Sequence, residues 1–112
     1  MSEIVFSRRI LIYADESGYE PFIKWLDSLN NPVFERRIVR RINRLKQGNL
    51  GDYKNLGNGI LELRMFFGAG YRVYIHPDGS DIIILLHGGS KKTQLKDIAK
   101  SRIYLQDYLE KK

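Results

Sequence analysis

Glu62-Leu63-Arg64-Met65-Phe66-Phe67-Gly68-Ala69-Gly70-Tyr71-Arg72-Val73-Tyr74-Ile75-His76 reads as two alternating strands folded around a Gly-Ala-Gly turn. Leu61, Leu63, Met65 and Phe67 point one way on the first strand, and Tyr71, Val73 and Ile75 supply the matching apolar side of the second. The opposite side then carries Glu62, Arg64, Arg72, Tyr74 and His76. With Phe67 and Tyr71 flanking the turn, antiparallel pairing sets Arg64 against Tyr74 and Glu62 against His76. Cross-strand neighbours are in contact range, so catalytic-type side chains share one sheet face.

Beyond this hairpin, Pro77-Asp78-Gly79-Ser80 makes a second tight turn, and Ile82 to Leu86 is an unbroken apolar run suited to a strand covered on both faces. Gly88-Gly89-Ser90 ends it. Lys91-Lys92-Thr93-Gln94 then leads into a last helix with Leu95, Ile98, Ala99, Leu105 and Leu109 on its apolar side. Upstream, Arg9 to Tyr13 reads as a short strand, and Phe22, Trp25, Leu26 and Leu29 recur at helical spacing behind Pro21. Asn30-Asn31-Pro32 breaks this helix, and a second one from Val33 to about Gln47 places Phe34, Ile38, Ile42 and Leu45 on one stripe. Gly48 to Gly59, rich in Gly and Asn, reads as a loop with Lys54 in its middle. The order is strand, helical hairpin, three-stranded meander and C-terminal helix. It predicts an α+β fold on a small antiparallel sheet, with residues 1–112 forming one domain.

The 19 Lys and Arg against 13 Asp and Glu give a net charge of +6, which favours a polyanionic partner, nucleic acid first. The charge is uneven. Arg36, Arg37, Arg40, Arg41, Arg44 and Lys46 surround the second helix's apolar stripe, opposed only by Glu35. Like charges one turn apart repel unless something anionic meets them. RNA and an acidic protein both fit, and a solvated face is the ordinary alternative. Arg37, Arg40, Arg41 and Arg44, with Lys54, are the candidate RNA-binding residues. The chain has no cysteine, which excludes disulfides, thiolate metal sites and a cysteine nucleophile. Its two histidines lie apart from any dense carboxylate cluster, so no metal or other cofactor is expected. No stretch approaches a membrane span, and Met1 to Arg9 lacks a signal-peptide core; a cytoplasmic location is the expectation.

Phe22-Ile23-Lys24-Trp25-Leu26, Arg41-Ile42-Asn43-Arg44-Leu45 with Gly48-Asn49, Lys54-Asn55-Leu56-Gly57 and Glu62-Leu63-Arg64 occur in a characteristic order. Gly70-Tyr71-Arg72-Val73-Tyr74 and Leu85-Leu86-His87-Gly88-Gly89-Ser90-Lys91-Lys92-Thr93-Gln94 complete it. In these pieces the chain resembles the RelE/ParE superfamily of toxins from type II toxin–antitoxin modules, in particular its phage-related, HigB-like addiction-module killer branch. The resemblance covers almost the whole chain. It implies a RelE-like fold and a toxin restrained by a cognate antitoxin, commonly a helix-turn-helix protein. The freed toxin would arrest growth by cutting mRNA, often on the ribosome.

Metal-free cleavage needs the ribose 2′-hydroxyl to lose a proton, the phosphate's growing charge to be stabilised and the leaving 5′-oxygen to be protonated. Arg72 matches the arginine of the family's Gly-Tyr-Arg strand, and Arg64 with Lys91 or Lys92 would add positive charge beside it. The general base and acid stay open. RelE-type enzymes carry a tyrosine early in the last helix, whereas this chain has Lys96-Asp97-Ile98 there. Tyr74, His87 and a Glu62–His76 pair are the substitutes. Two other readings fit the same residues: a ParE-like, non-catalytic inhibitor of DNA gyrase, and a plain nucleic-acid-binding module built on the arginine helix.

Overall fold

The structure, a computed structural model, describes residues 7–112; the amino-terminal reading rests partly on residues 1–6 and lies outside the described residues. Strand β1 (Arg9–Ile12) leads to helices α1 (Pro21–Ser28) and α2 (Pro32–Leu45). Strands β2 (Tyr53–Gly57), β3 (Ile60–Arg64), β4 (Tyr71–Asp78) and β5 (Ile82–Ser90) follow, and a 3-10 turn at Lys91–Thr93 opens α3 (Gln94–Lys111). The sheet order is β1-β5-β4-β3-β2, with β1 parallel to β5 and the other pairs antiparallel. The expected α+β class is present, compatible with a RelE-like fold, but the sheet is five-stranded and mixed where a small antiparallel one was expected, because β1 joins its edge parallel to β5. Among the described residues no helix is long and apolar enough to cross a membrane.

Local chemistry explains the helical hairpin. Pro32 takes the first turn of α2, and the Asn31 side-chain oxygen accepts from the Val33 and Phe34 amides at 3.1 Å each. Such a cap contributes about 1 kcal/mol. Ile38, Ile42 and Leu45 of α2 and Phe22 of α1 bury against Leu63, Val73, Ile75, Ile83 and Leu85 on one sheet face. On the other face Ile60, Tyr74, Ile84 and Leu86 meet Tyr13 and Leu105 of α3. A sheet covered on both sides accounts for the continuous apolar run of β5.

The β3–β4 register differs from the expected one by two residues: Glu62 pairs with Tyr74 and Arg64 with Arg72. The strands stop early because Phe67 leaves the ladder to pack on Phe34 and Tyr71, at ring distances of 5.5 and 5.7 Å. Met65 N–H closes the loop on the Tyr71 carbonyl. A shift of two preserves side-chain direction, so the two faces are composed as expected. The Glu62–His76 pair does not form; His76 Nδ1 instead meets the Gly59 carbonyl at 2.6 Å.

The Gly48–Gly59 segment is not all loop. It contains edge strand β2, joined to β3 by the two-residue turn Asn58-Gly59, both with positive φ. Asn-Gly is the favoured pair for such a turn. In α3, Leu95 and Leu109 are exposed, while Asp97 and Ser101 are buried beside Leu105. The helix is turned so that the Asp97 carboxylate meets His87 and Thr93, and the buried Ser101 hydroxyl is satisfied within the helix by the Asp97 carbonyl.

Gly88 and Gly89 let both helical layers approach β5. A Cβ on Gly88 would enter the Trp25 ring of α1, and one on Gly89 would enter the Asp97 carboxylate of α3. Space, not backbone conformation, requires them, since neither has positive φ. Gly88→Ala is expected to cost about 1–3 kcal/mol through overpacking, read as a lowered thermal midpoint by circular dichroism; an unchanged midpoint contradicts the packing.

Candidate functional site

Strand register brings the candidate residues together in two rows. Lys54, Glu62, Tyr74 and His87 are successive cross-strand partners from β2 to β5 on the face that α3 covers, and Arg64, Arg72 and Gly89 form the next row. Between Tyr74 and Ile75 the β4–β5 register slips by one residue, so that both Leu86 and His87 serve the α3 face.

Glu62, fully buried, is the hub. Its carboxylate accepts from Arg64 Nε at 3.1 Å and from Gln94 Nε2 at 2.9 Å, and Arg72 Nε lies 3.8 Å away. Arg72 also donates to the Gly70 carbonyl at 2.9 Å, which the Lys91 amide shares at 2.9 Å. The turn that starts α3 is thereby tied to the β3–β4 loop. Lys91 and Lys92 are exposed there, and Lys54 is exposed at the other end of the first row. Arg64 keeps 31% of its side chain accessible against 11% for Arg72. The result is a partly buried carboxylate–guanidinium cluster rimmed by lysines, a surface suited to binding a phosphate or another oxyanion.

Tyr74 and His87 sit deeper. The Tyr74 hydroxyl is buried without a hydrogen-bond partner, and burial, then the Glu62 charge, pushes its pKa up. It stays a neutral phenol at physiological pH. His87 Nε2 lies 3.2 Å from Asp97 Oδ1, with its ring edge-on to Tyr104. Burial lowers the His87 pKa, opposed by the Asp97 charge and hydrogen bond. Arg72 Nε, the Tyr74 hydroxyl and His87 Nδ1 are buried atoms without a hydrogen-bond partner, as is Arg41 Nε on the other face.

The arginines of α2 lie on the opposite side of the sheet and form a second group. Arg37, Arg40 and Arg44 are exposed, and Arg37 sits 3.9 Å above the Phe67 ring. Arg41 departs from the expected binding role. Its guanidinium donates to the carbonyls of Arg64, Leu50 and Asp52 at 2.5–2.8 Å, and burial lowers its pKa. It clamps the β2 approach to the end of β3. Sequence reasoning missed Gln94 and Asp97 as partners of Glu62 and His87. The close Gly88-Gly89 pair was a visible sign that something packs tightly at that end of β5.

A family model described as Phage derived protein Gp49-like matches residues 24–107, a span that holds both rows and the arginine helix. An uncharacterized protein of Haemophilus influenzae is 44% identical over 86 residues, covering 77% of this chain and 87% of that protein.

The His87 shift has a stability consequence. An unfolded chain takes up a proton near the ordinary value of 6.5, whereas the folded chain resists it. This group's contribution is therefore complete above that value and is lost progressively as pH falls below it. Between pH 7.5 and 5 the thermal midpoint is expected to fall, and to fall less in His87→Asn. An equal fall in both proteins contradicts the shift.

Proposed function

We infer that this chain, which belongs to the phage-derived Gp49-like family associated with addiction-module toxins, is the toxin of a two-component module and a metal-independent endoribonuclease acting on mRNA. The observation that carries this reading is the Arg64–Glu62–Arg72 cluster, whose guanidiniums are held by a buried carboxylate beside the exposed Lys91. A phosphodiester seated there meets preorganised positive charge where the pentavalent intermediate gathers its own.

In the proposed reaction the ribose 2′-oxygen attacks the adjacent phosphorus, and the P–O5′ bond breaks. The 2′-hydroxyl proton passes to a base, and the departing 5′-oxygen takes one up. Arg72 and Arg64 stabilise the charge on the non-bridging oxygens, while Lys91, Lys92 and Lys54 raise the local positive potential. Glu62, held in turn by Gln94, positions the arginines and does not reach the substrate, since it has no exposed surface. Tyr74 is closed off in the same way, so its part is to support the site from beneath. Of the groups proposed from sequence for proton transfer, His87 keeps 11% of its side chain accessible, with Nε2 held by Asp97 and Nδ1 buried, and His76, parted from Glu62, is half-buried. The family supports an antitoxin as partner, and a helix-turn-helix protein that also represses the shared promoter is the form proposed.

Induced expression followed by mapping of transcript 5′ ends tests the reading. Fresh cuts within translated codons are expected from the wild-type chain. Arg72→Ala, matched for accumulation and circular dichroism, is expected to lose about 10²–10³-fold in cleavage and to permit growth. Intact messages with stalled DNA replication would instead point to gyrase, and full toxicity of a folded Arg72→Ala protein would remove Arg72 from the reaction.

A further inference from the structure

Away from the Glu62 cluster, Arg37, Arg40 and Arg44 line a groove of about 330 Å³ together with Phe66 and Phe67. We propose that this groove holds a single-stranded RNA segment, binding its phosphates through Arg40 and Arg44 and stacking one base on Phe66. The proposal extends the binding surface beyond the cleavage site and requires no chemistry there.

Three observations support it. Arg37, Arg40 and Arg44 recur at i, i+3 and i+7, so they share a face of α2 over about 10 Å at 1.5 Å per residue. Among the described residues, no carboxylate lies within ion-pair range of any of the three. Asp52 is the one acid lining the groove; its charge acts on Arg41, and it forms no ion pair with Arg37, Arg40 or Arg44. Three mutually repelling cations thus remain for an anionic partner.

The second observation is Phe66, 82% exposed at the tip of the β3–β4 loop. Its neighbour Phe67 is covered by Arg37 and packed on Phe34, which fixes the loop and leaves Phe66 projecting beside the cations. An aromatic platform next to a basic track is the arrangement that binds unpaired nucleotides, because every base presents a π-face. A duplex keeps its bases stacked and gains nothing from Phe66. An acidic protein would satisfy the arginines but offers no comparable use for one isolated ring in a polar groove.

The third observation is continuity. Arg64 borders both regions: its backbone carbonyl receives Arg41 from the groove side, and its Nε reaches Glu62 on the other. A strand leaving the Glu62 cluster around the end of β3 therefore arrives at the groove.

Fluorescence anisotropy with a labelled 2′-O-methyl oligouridine tests this, because the probe has no free 2′-hydroxyl and its binding is read whether or not the protein cleaves RNA. The double variant Arg40→Ala/Arg44→Ala is expected to bind at least tenfold more weakly, with the slope of log K against log salt reduced by about 1.4 for two lost phosphate contacts. Phe66→Ala is expected to weaken binding about tenfold with the slope unchanged. All three residues are exposed, so the fold should survive; circular dichroism checks that it does. Wild-type affinity and slope in both variants would overturn the proposal. So would loss of polyglutamate binding with oligouridine binding retained, which would assign the groove to an acidic protein. A loss confined to an oligothymidine probe would assign it to DNA and also overturn the proposal.

Discussion

Glu62 places a carboxylate inside a small sheet with no surface exposed to water, and its surroundings are arranged to meet that charge. Burying a carboxylate is tolerable only where donors replace its hydration. Here Arg64 and Gln94 donate to it, and Arg72 adds charge at 3.8 Å. Taking away one partner of a buried pair typically costs about 3–5 kcal/mol, so these side chains are fixed in place. The cost of desolvating Glu62 is thereby coupled to preorganisation. Each guanidinium carries five N–H donors and spends only part of them on Glu62 and Gly70, leaving others for an oxyanion.

The same end of the sheet is where the layers come closest. Trp25 rests on Gly88 from one side and Asp97 on Gly89 from the other, while the 3-10 turn carries Lys91 beside Gly70. Fold and site therefore share their supports. Gln94, at the first turn of α3, helps to hold Glu62, and Asp97 one turn later holds His87. Arg41 performs a related service at this end of β3 from the α2 side, gripping three carbonyls so that β2 can pair along the edge. One of the five α2 arginines is thus spent on the fold.

Much of this was legible in sequence because period-2 alternation is direct: Leu63, Val73 and Ile75 face α2, and Glu62, Arg64, Arg72 and Tyr74 face α3. The register was not legible, since a slip of two residues leaves the pattern unchanged and only the packing of Phe67 on Phe34 and Tyr71 decides it. Strand β2 was hidden because an edge strand reading Tyr-Lys-Asn-Leu-Gly has little apolar patterning, although Asn58-Gly59 announced its turn. On α3, the spacing of Leu95 and Leu109 suggested an apolar face, but Asp97 and Ser101 are the residues that face inward, Asp97 meeting His87 of β5. Tertiary partners also separated Arg41 from the neighbouring arginines, a distinction invisible in a run of identical residue types.

In the proposed function the sheet face, its lysine rim and the α2 groove form one cationic surface that would act on RNA through the ribose 2′-hydroxyl. That chemistry leaves a signature on its product. Incubating the purified protein with a defined RNA in the presence of EDTA and identifying the new 3′ end by mass spectrometry tests it most directly. The account predicts a 2′,3′-cyclic phosphate on the upstream fragment and a 5′-hydroxyl on the downstream one, with no cut where the nucleotide 5′ to the scissile bond is 2′-deoxy. A 3′-hydroxyl with a 5′-phosphate, or equal cleavage at the deoxy position, would contradict it.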